Sequence, residues 1–227
     1  MLVYFTVFFT HILTFVVLEA KSHDKQVKLI LIGDYSVGKS SILHRYCEDA
    51  FWPKHMPTIG VDFRTKFVRD GNNTIKMQLW DTAGQEKYRT VTSNLYKNTS
   101  VVLLVYDCTD LNSFDNVANW IKQIEMNVSE KTIIILIANK IDLENRLVST
   151  EDGEAMAEAY RANYFETSAK TGQNIDKVFD YCVENIMNYT VPRFKRDSQR
   201  LKRETEKDKA KAKKKRGFCR SLAKLFS

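Results

Sequence analysis

A glycine-bounded loop between a predicted strand and a predicted helix constrains the fold of this chain more than any other feature. The loop reads Gly33-Asp-Tyr-Ser-Val-Gly38-Lys39-Ser40 and follows the apolar run 27–32. Loop amides and the N-terminus of the next helix present positive dipoles to phosphate oxygens. Lys39 adds a charge for the β and γ phosphates, and Ser40 offers Mg²⁺ an oxygen ligand. The predicted phosphate-binding residues are Gly33, Ser36, Val37, Gly38, Lys39, Ser40 and Ser41. A chance glycine turn is the alternative, which the strand–helix context disfavours.

Strand and helix patterns alternate along the rest of the chain. Near-continuous apolar runs at 101–106 and 132–138 are typical of interior parallel strands, and Asp70-Gly-Asn-Asn73 between 61–68 and 74–80 indicates a hairpin. A short strand is predicted at 164–167, and helices at 39–47, from about Ser113, at 150–161 and at 174–188. The alternation predicts an α/β fold: a six-stranded, mostly parallel sheet with one antiparallel hairpin strand and helices on both faces.

Two later segments decide which purine fits. Asn139-Lys140-Ile-Asp142 follows the strand at 132–138. The Asp142 carboxylate can accept hydrogen bonds from N1–H and the exocyclic amine of guanine, a donor pair that adenine lacks. Asn139 can tie this loop to the phosphate-binding loop, and the Lys140 stem can lie on the base. Thr167-Ser168-Ala169-Lys170 fits a further loop whose Ala169 amide meets the guanine carbonyl. The predicted ligand is therefore GTP or GDP.

A third segment predicts hydrolysis of the nucleotide. Trp80-Asp81-Thr-Ala-Gly84-Gln85-Glu86 lies where the strand at 74–80 ends. Asp81 can hold the Mg²⁺ shell through water, Gly84 can donate its amide to the γ-phosphate, and Gln85 can orient the attacking water. Gln85 is the predicted catalytic residue. An ordinary turn at a strand end is the alternative.

Five segments in chain order resemble those of the Ras superfamily: the phosphate-binding loop at 33–40, Thr58-Ile-Gly-Val-Asp-Phe63, and the segments at 80–86, 139–142 and 168–170. The stretches 59–63, 75–80 and 105–114 are similar to those of the Rab family. The resemblance covers about residues 25–189 and implies a P-loop GTPase domain. It implies that Thr58 ligates Mg²⁺ in the GTP state and that Phe51 packs edge-on against guanine. The segments around Thr58 and Gln85 would be switches, ordered by the γ-phosphate.

The resemblance also implies partners and a process. The expected partners are an exchange factor, a GTPase-activating protein and effectors. The expected process is vesicle or membrane traffic, and the protein is expected to be a monomer whose intrinsic GTP hydrolysis is slow. An effector patch of Phe63, Trp80 and Leu95 is expected. The chain would act on the cytosolic face of an intracellular membrane and exchange with the cytosol. Two rival functions are a GTP-loaded scaffold that scarcely hydrolyses and, disfavoured by Asp142, an ATP-using kinase.

Three positions depart from the Rab pattern. Tyr35 stands where a small residue is usual, so a phenol beside the γ-phosphate could slow hydrolysis or obstruct an activating protein. Leu95-Tyr96 replaces a pair of tyrosines, which predicts unusual partners. Eight residues follow Cys219, so prenylation at the C-terminus is not expected, and S-acylation of Cys219 is the hypothesis for lipidation.

Charge is distributed unevenly along the chain. Residues 193–227 hold fifteen Lys or Arg against four Asp or Glu, and because the whole chain carries +7, residues 1–192 carry about −4. A mildly acidic core argues against nucleic-acid binding, whereas the tail predicts attraction to an anionic membrane surface. The tail holds six basic residues within 209–216, followed by Phe218, Leu222, Leu225 and Phe226 on one face of a predicted amphipathic helix. A solvated basic tail is the alternative.

The predicted organisation is an N-terminal segment at 1–24, the domain at 25–190 and the tail at 191–227. Residues 2–18 form an apolar run whose helix would reach about 26 Å, short of the roughly 30 Å hydrocarbon core. A membrane anchor, a secretory signal and a start codon assigned too far upstream remain open, and secretion fits badly with a need for cellular GTP. Four scattered cysteines argue against a disulfide framework or zinc site.

Overall fold

A computed structural model describes residues 23–53, 58, 60–82 and 92–188. The strands are β1 (Lys25–Ile32), β2 (Val61–Asp70), β3 (Asn73–Thr82), β4 (Val101–Asp107), β5 (Ile133–Asn139) and β6 (Asn163–Glu166). The helices are α1 (Lys39–Glu48), α2 (Thr92–Leu95), α3 (Leu111–Asp115), α4 (Val117–Asn127), α5 (Thr150–Ala159) and α6 (Ile175–Asn188). The N-terminal run, Gly84, Gln85 and the basic tail with Cys219 lie outside the described residues.

The six strands form one sheet in the order β2-β3-β1-β4-β5-β6. β2 and β3 pair antiparallel, and the other neighbours pair parallel. β4 and β5 are buried along their whole length, as their continuous apolar sequences require. The predicted fold class is confirmed.

Helices cover both faces of the sheet because side chains alternate along each strand. Leu29 and Leu31 of β1 pack in one apolar cluster with α1 and α6. Ile30 and Ile32 pack in the other with α4 and α5. The loops that follow β1, β4 and β5 therefore meet at the carboxyl ends of central strands, where open α/β sheets bind ligands.

Several predicted element boundaries are wrong. The helix predicted from Ser113 is two helices, α3 and α4, which divide at Asn116. The first begins at Leu111, where the Asp110 side chain caps it by accepting from Asn112 N at 3.0 Å. The loop of the β2–β3 hairpin is two residues rather than four, since Asp70 pairs with Asn73. α5 ends at Ala159, and Arg161 beyond it has a left-handed φ of 54°.

Two further observations concern the predicted membrane and cysteine chemistry. Within the part of the chain that the structure describes, no helix has both the length and the apolar character needed to span a bilayer. Cys47, Cys108 and Cys182 are free thiols, the latter two buried.

Candidate nucleotide-binding site

The two glycines of the phosphate-binding loop lie where a side chain would not fit. Gly33 has φ +139°, and a Cβ there would lie 2.1 Å from the Val105 carbonyl oxygen of β4. Gly38 has φ +98°, and its Cβ would lie 2.3 Å from Asn139 Nδ2. The loop is thus pressed against β4 at one end and against the loop after β5 at the other, which fixes its amides in place.

Lys39 lies inside the curve of this loop. It begins α1, only 5% of it is exposed, and its Nζ donates to the carbonyls of Gly33 at 3.0 Å and Asp34 at 2.6 Å. Burial lowers the pKa of Lys39 to about 8, against the opposing attraction of Asp81 and Asp34. The ammonium is therefore held as a nearly dehydrated charge among the loop carbonyls, where attraction to a phosphate oxygen is strong.

The three predicted magnesium ligands lie together. Ser40 Oγ and Thr58 Oγ1 are 2.8 Å apart, and both hydroxyls donate to Oδ2 of Asp81. Asp81 is 3% exposed, and its buried Oδ1 has no hydrogen-bond partner among the residues that the structure describes. Burial raises the pKa of Asp81, against hydrogen bonds from Ser40 and Thr58. Hydroxyl and carboxylate oxygens with one unused buried acceptor fit Mg²⁺ or a water in its shell.

The aspartate of the phosphate-binding loop is held by a helix that the sequence analysis did not connect to it. Asn116 Nδ2 donates to Asp34 Oδ2 at 2.6 Å, and Trp120 Nε1 donates to Asp34 Oδ1 at 2.7 Å. Both carboxylate oxygens are thereby occupied, so Asp34 ties the loop to the start of α4. The partners are 82 and 86 residues away in the sequence, and no local pattern signals the contact.

Asn139 joins three loops. Its Nδ2 donates to the Val37 carbonyl at 2.9 Å, and its Oδ1 accepts from Thr167 Oγ1 at 3.2 Å and from the Ala169 amide at 3.3 Å. The residue is 1% exposed. The predicted tie between the loop at 139–142, the first base-recognition loop, and the phosphate-binding loop is present.

Asp142 and Lys140 have separate supports. Ser168 Oγ donates to Asp142 Oδ1 at 2.6 Å, and Lys170 Nζ lies 3.7 Å from Asp142 Oδ2. Lys140 has a left-handed φ of 67°, and its Nζ lies 2.6 Å from Oδ2 of Asp107 at the end of β4. Asp107 is 7% exposed and was missed from the sequence. The loop at 168–170 thus supports one oxygen of the Asp142 carboxylate by a hydrogen bond and the other by an ion pair.

A cavity of about 220 Å³ opens between these loops. Its lining includes Ser36, Gly38 and Ser41 of the phosphate-binding segment, Phe51, and the base-recognition residues Asn139, Lys140, Asp142, Ala169 and Lys170. A smaller cleft beside it is lined by Tyr35, Lys39, Ser40 and Thr58. Most of the predicted base and phosphate residues therefore line two adjoining spaces, whereas Gly33, Val37 and Ser168 lie outside both linings. Tyr35 is 47% exposed at the cleft.

Trp52, like Pro53 and Leu143, is a lining residue of the larger cavity that the sequence did not predict. It follows Phe51 in the lining of the larger cavity and is 62% exposed. Its ring meets His44 edge-on, with centroids 6.4 Å apart. The one sequence feature that could have indicated Trp52 as a lining residue is its position directly after Phe51.

Two members of the predicted effector patch are in contact. Phe63 of β2 pairs with Trp80 of β3, and their rings meet at 61° with centroids 4.9 Å apart. Lys28 Nζ lies 4.8 Å from the centre of the Trp80 ring, on the same sheet face. Leu95 ends α2 and is partly exposed. Phe63 is 45% exposed, so this apolar surface is open to a partner.

Known proteins match this chain over the region that carries the site. A sequence profile described as the Ras family matches residues 28–188. The chain is 46% identical to the Ras-related protein RABE1e of Arabidopsis thaliana over 69% of this chain and 73% of that protein. It is 46% identical to the GTP-binding protein ypt2 of Schizosaccharomyces pombe, over 71% and 82%. With the Ras-related protein SEC4 of Saccharomyces cerevisiae it shares 42% identity, over 71% and 75%. The chain therefore belongs to the Ras superfamily, as a small GTPase of the Rab family, whose members are GTP hydrolases of vesicle-mediated transport.

Proposed function

We propose that this chain is a membrane-associated switch that hydrolyses GTP slowly and changes partners with the bound nucleotide. The observation that carries the proposal is the support of the Asp142 carboxylate by Ser168 at the edge of the 220 Å³ cavity. A carboxylate held in this way selects a base that offers two adjacent donors. The adjoining cleft, with Lys39 and Ser40 in its lining, would lie at the phosphate end of the nucleotide.

The phosphate end of the site supports the hydrolytic part of the proposal. Lys39 and the loop amides would hold the β and γ phosphates. Ser40, Thr58 and Asp81 would hold a Mg²⁺ ion, which supplies charge neutralisation on the phosphate oxygens when it is bound. Gln85, as the sequence predicts, would orient the attacking water. Without a further charge donated by a partner, catalysis by positioning alone is slow, which supports the need for an activating protein.

The switching part of the proposal rests on Thr58. Its hydroxyl contacts Ser40 and Asp81 at the phosphate end, whereas exposed Phe63 and partly buried Trp80 form an aromatic pair on the neighbouring strands. Movement of the segment around Thr58 on loss of the γ-phosphate would alter the surface beside this pair. Effectors would bind there in the GTP state, and an exchange factor would reload the site.

The membrane part of the proposal rests on the tail. The six basic residues within 209–216 would attract anionic lipid, and the apolar residues after them would insert, with S-acylation of Cys219 as an added anchor. The proposed location is the cytosolic face of an intracellular membrane, for a monomer that exchanges with the cytosol. Nucleic acid is not a proposed partner.

Competition between purine nucleotides tests the proposal. The full-length chain, loaded with a fluorescent GDP, is challenged with GTP or ATP in the presence of Mg²⁺. We expect GTP to compete at least about a hundredfold better, because ATP leaves the Asp142 carboxylate facing no donor pair. Equal competition by the two nucleotides would refute the assignment.

Tyr35 favours a second candidate function, a GTP-bound scaffold with little hydrolysis. Its side chain is 47% exposed and lines the cleft that holds Lys39 and Ser40. A phenol at this position can displace the attacking water or an activating side chain from a partner. Single-turnover hydrolysis distinguishes the two functions.

A further inference from the structure

A guanidinium connects the helix that begins at the phosphates with the loop that meets the base. Arg45 lies in the last turn of α1. Its Nε donates to the Ala169 carbonyl at 3.0 Å, and its Nη2 donates to the Lys170 carbonyl at 2.8 Å. The side chain is 17% exposed, so these bonds are largely shielded from water. One side chain of α1 thus holds two successive peptide groups of the loop at 167–170, which is the second of the two base-recognition loops.

The guanidinium is itself fixed from the other side. Its Nη1 donates to the Asp49 carbonyl at 3.0 Å and to Asp49 Oδ1 at 2.8 Å. Asp49 ends α1 with a left-handed φ of 50°. Because the guanidinium is planar and rigid, it loses little conformational entropy for each hydrogen bond that it makes. A lysine ammonium could not reproduce this set of hydrogen bonds.

The loop that Arg45 holds has two independent supports. Ser168 and Asn139 support it on the Asp142 side, through the bond to the carboxylate and the bond to the Ala169 amide. Arg45 supports it beyond Ala169. The bond from the Ala169 amide to Asn139 is 3.3 Å, long for an N–H···O bond, so that amide is weakly engaged within the protein.

We propose that Arg45 is a positioning residue that sets the Ala169 amide against the guanine O6, and thereby contributes to base discrimination and to slow nucleotide release. The inference rests on the proposed function. Since Arg45 does not contact Asp142, its loss loosens the O6 contact and leaves the recognition of N1–H and the exocyclic amine in place. Because α1 also carries Lys39 and Ser40, the same side chain couples the two ends of the nucleotide site.

Three diphosphates separate the two contacts in the full-length chain. GDP makes both the O6 contact and the contact to Asp142. In 6-thio-GDP a bulkier and weaker acceptor replaces O6, and IDP lacks the exocyclic amine that donates to Asp142. Dissociation rates and affinities are measured for wild type, Arg45→Met and Arg45→Lys. Arg69→Met is the matched control, an exposed arginine at the tip of the β2–β3 hairpin.

In Arg45→Met we expect GDP to dissociate about tenfold faster, as for the loss of a charge-assisted hydrogen bond. The preference for GDP over 6-thio-GDP should shrink at least about threefold, whereas the preference for GDP over IDP should stay within about twofold. Arg45→Lys should lie between, and it decides the matter if Arg45→Met does not fold. If both preferences stay unchanged, or fall together, Arg45 acts only on stability and the proposal is overturned. A wild type that does not prefer GDP to ADP would instead refute the proposed function.

Discussion

Ser168 Oγ donates a 2.6 Å hydrogen bond to Asp142 Oδ1, which ties the two base-recognition loops together at the atom that selects the base. The residues are 26 positions apart in the sequence. The bond fixes the orientation of the carboxylate and occupies one acceptor position on Oδ1, which leaves acceptor positions on both oxygens for the donors of a base. Base selection therefore depends on both loops.

Asp142→Asn should change the preferred base from guanine to xanthine. The substituted amide can accept from N1–H and donate to the C2 carbonyl of xanthine, but it meets the guanine amine with a second donor. We expect the affinity for GDP to fall by about 3 kcal/mol, roughly a hundredfold, and the affinity for xanthosine diphosphate to rise. Ser168→Ala should weaken GDP binding less, without changing the preference. Retention of the guanine preference in Asp142→Asn would contradict the role of this carboxylate.

Trp52→Ala should accelerate release of the nucleotide. The indole lines the cavity beside Phe51, and an aromatic ring on a bound nucleotide contributes about 0.5–1.5 kcal/mol. The dissociation rate of GDP should rise roughly two- to tenfold, with Trp52→Phe close to wild type. Met126→Ala on α4, where 74% of the residue is exposed, is the control for loss of a surface side chain. An unchanged rate would show that Trp52 lines the cavity without contacting the ligand.

The sequence predicted the parts of the site that lie in short local motifs, together with one long-range contact, the tie from Asn139 to the phosphate-binding loop. Gly33 and Gly38 are predictable because a tight turn between a strand and a helix demands them at fixed spacing. The fold was predictable for a related reason, since continuous apolar runs distinguish the interior strands β4 and β5. The sites of Ser40 and Asp81 follow, because parallel strands bring their carboxyl ends to one edge of the sheet.

The contacts that were missed join residues far apart in sequence. The bonds from Asn116 and Trp120 to Asp34 depend on how α4 packs on the sheet, and helical spacing alone marks Trp120 only as a core residue. Arg45 reads as an ordinary basic residue near a helix end until Ala169 is placed beside it. The helix predicted from about Ser113 begins at Leu111, because the Asp110 side chain caps it, and Ser113 lies inside the first turn with its hydroxyl donating to the Asp110 carbonyl.

The basic tail should confer binding to anionic vesicles. Each of the six basic residues within 209–216 contributes about 1 kcal/mol near an anionic surface. We expect the full-length chain to sediment with vesicles that contain phosphatidylserine and not with neutral vesicles. The fraction that sediments should fall as the salt concentration is raised. Replacing these six residues by glutamine should abolish sedimentation without altering GDP affinity, which serves as the control for folding. If the two proteins sediment equally, the basic residues of the tail do not contribute to membrane binding.

The ion pair of Glu166 and Arg146 should make stability depend on pH. Burial raises the pKa of Glu166, but donation from Arg146, from Thr150 at 2.8 Å and from Tyr164 at 2.9 Å outweighs it and leaves the pKa below its ordinary value. A lowered pKa in the folded state means that ionised Glu166 stabilises the fold above the unfolded pKa of about 4.3, and that this contribution is lost as pH falls through the folded value.

Glu166→Gln should therefore lower the free energy of unfolding by about 1–2 kcal/mol at pH 7, a value discounted for partial exposure of the pair. The difference from wild type should shrink toward zero as the pH falls below about 4. Denaturant titrations at several pH values measure both. Glu154→Gln, at an exposed position of α5, should show no such trend. A destabilisation that is constant with pH would mean that the charge of Glu166 contributes nothing.

Hydrolysis distinguishes the switch from the scaffold. Gln85→Leu should leave GTP affinity unchanged and suppress single-turnover hydrolysis at least about tenfold, because the apolar side chain cannot orient water. Tyr35→Ser removes the phenol that lines the cleft of Lys39 and Ser40. If Tyr35 limits hydrolysis, Tyr35→Ser should raise the rate several-fold while Tyr35→Phe, which keeps the ring, stays near wild type. Should Tyr35→Ser and wild type hydrolyse at the same rate, the phenol does not govern the reaction, and a low rate would then have to come from the geometry around Gln85.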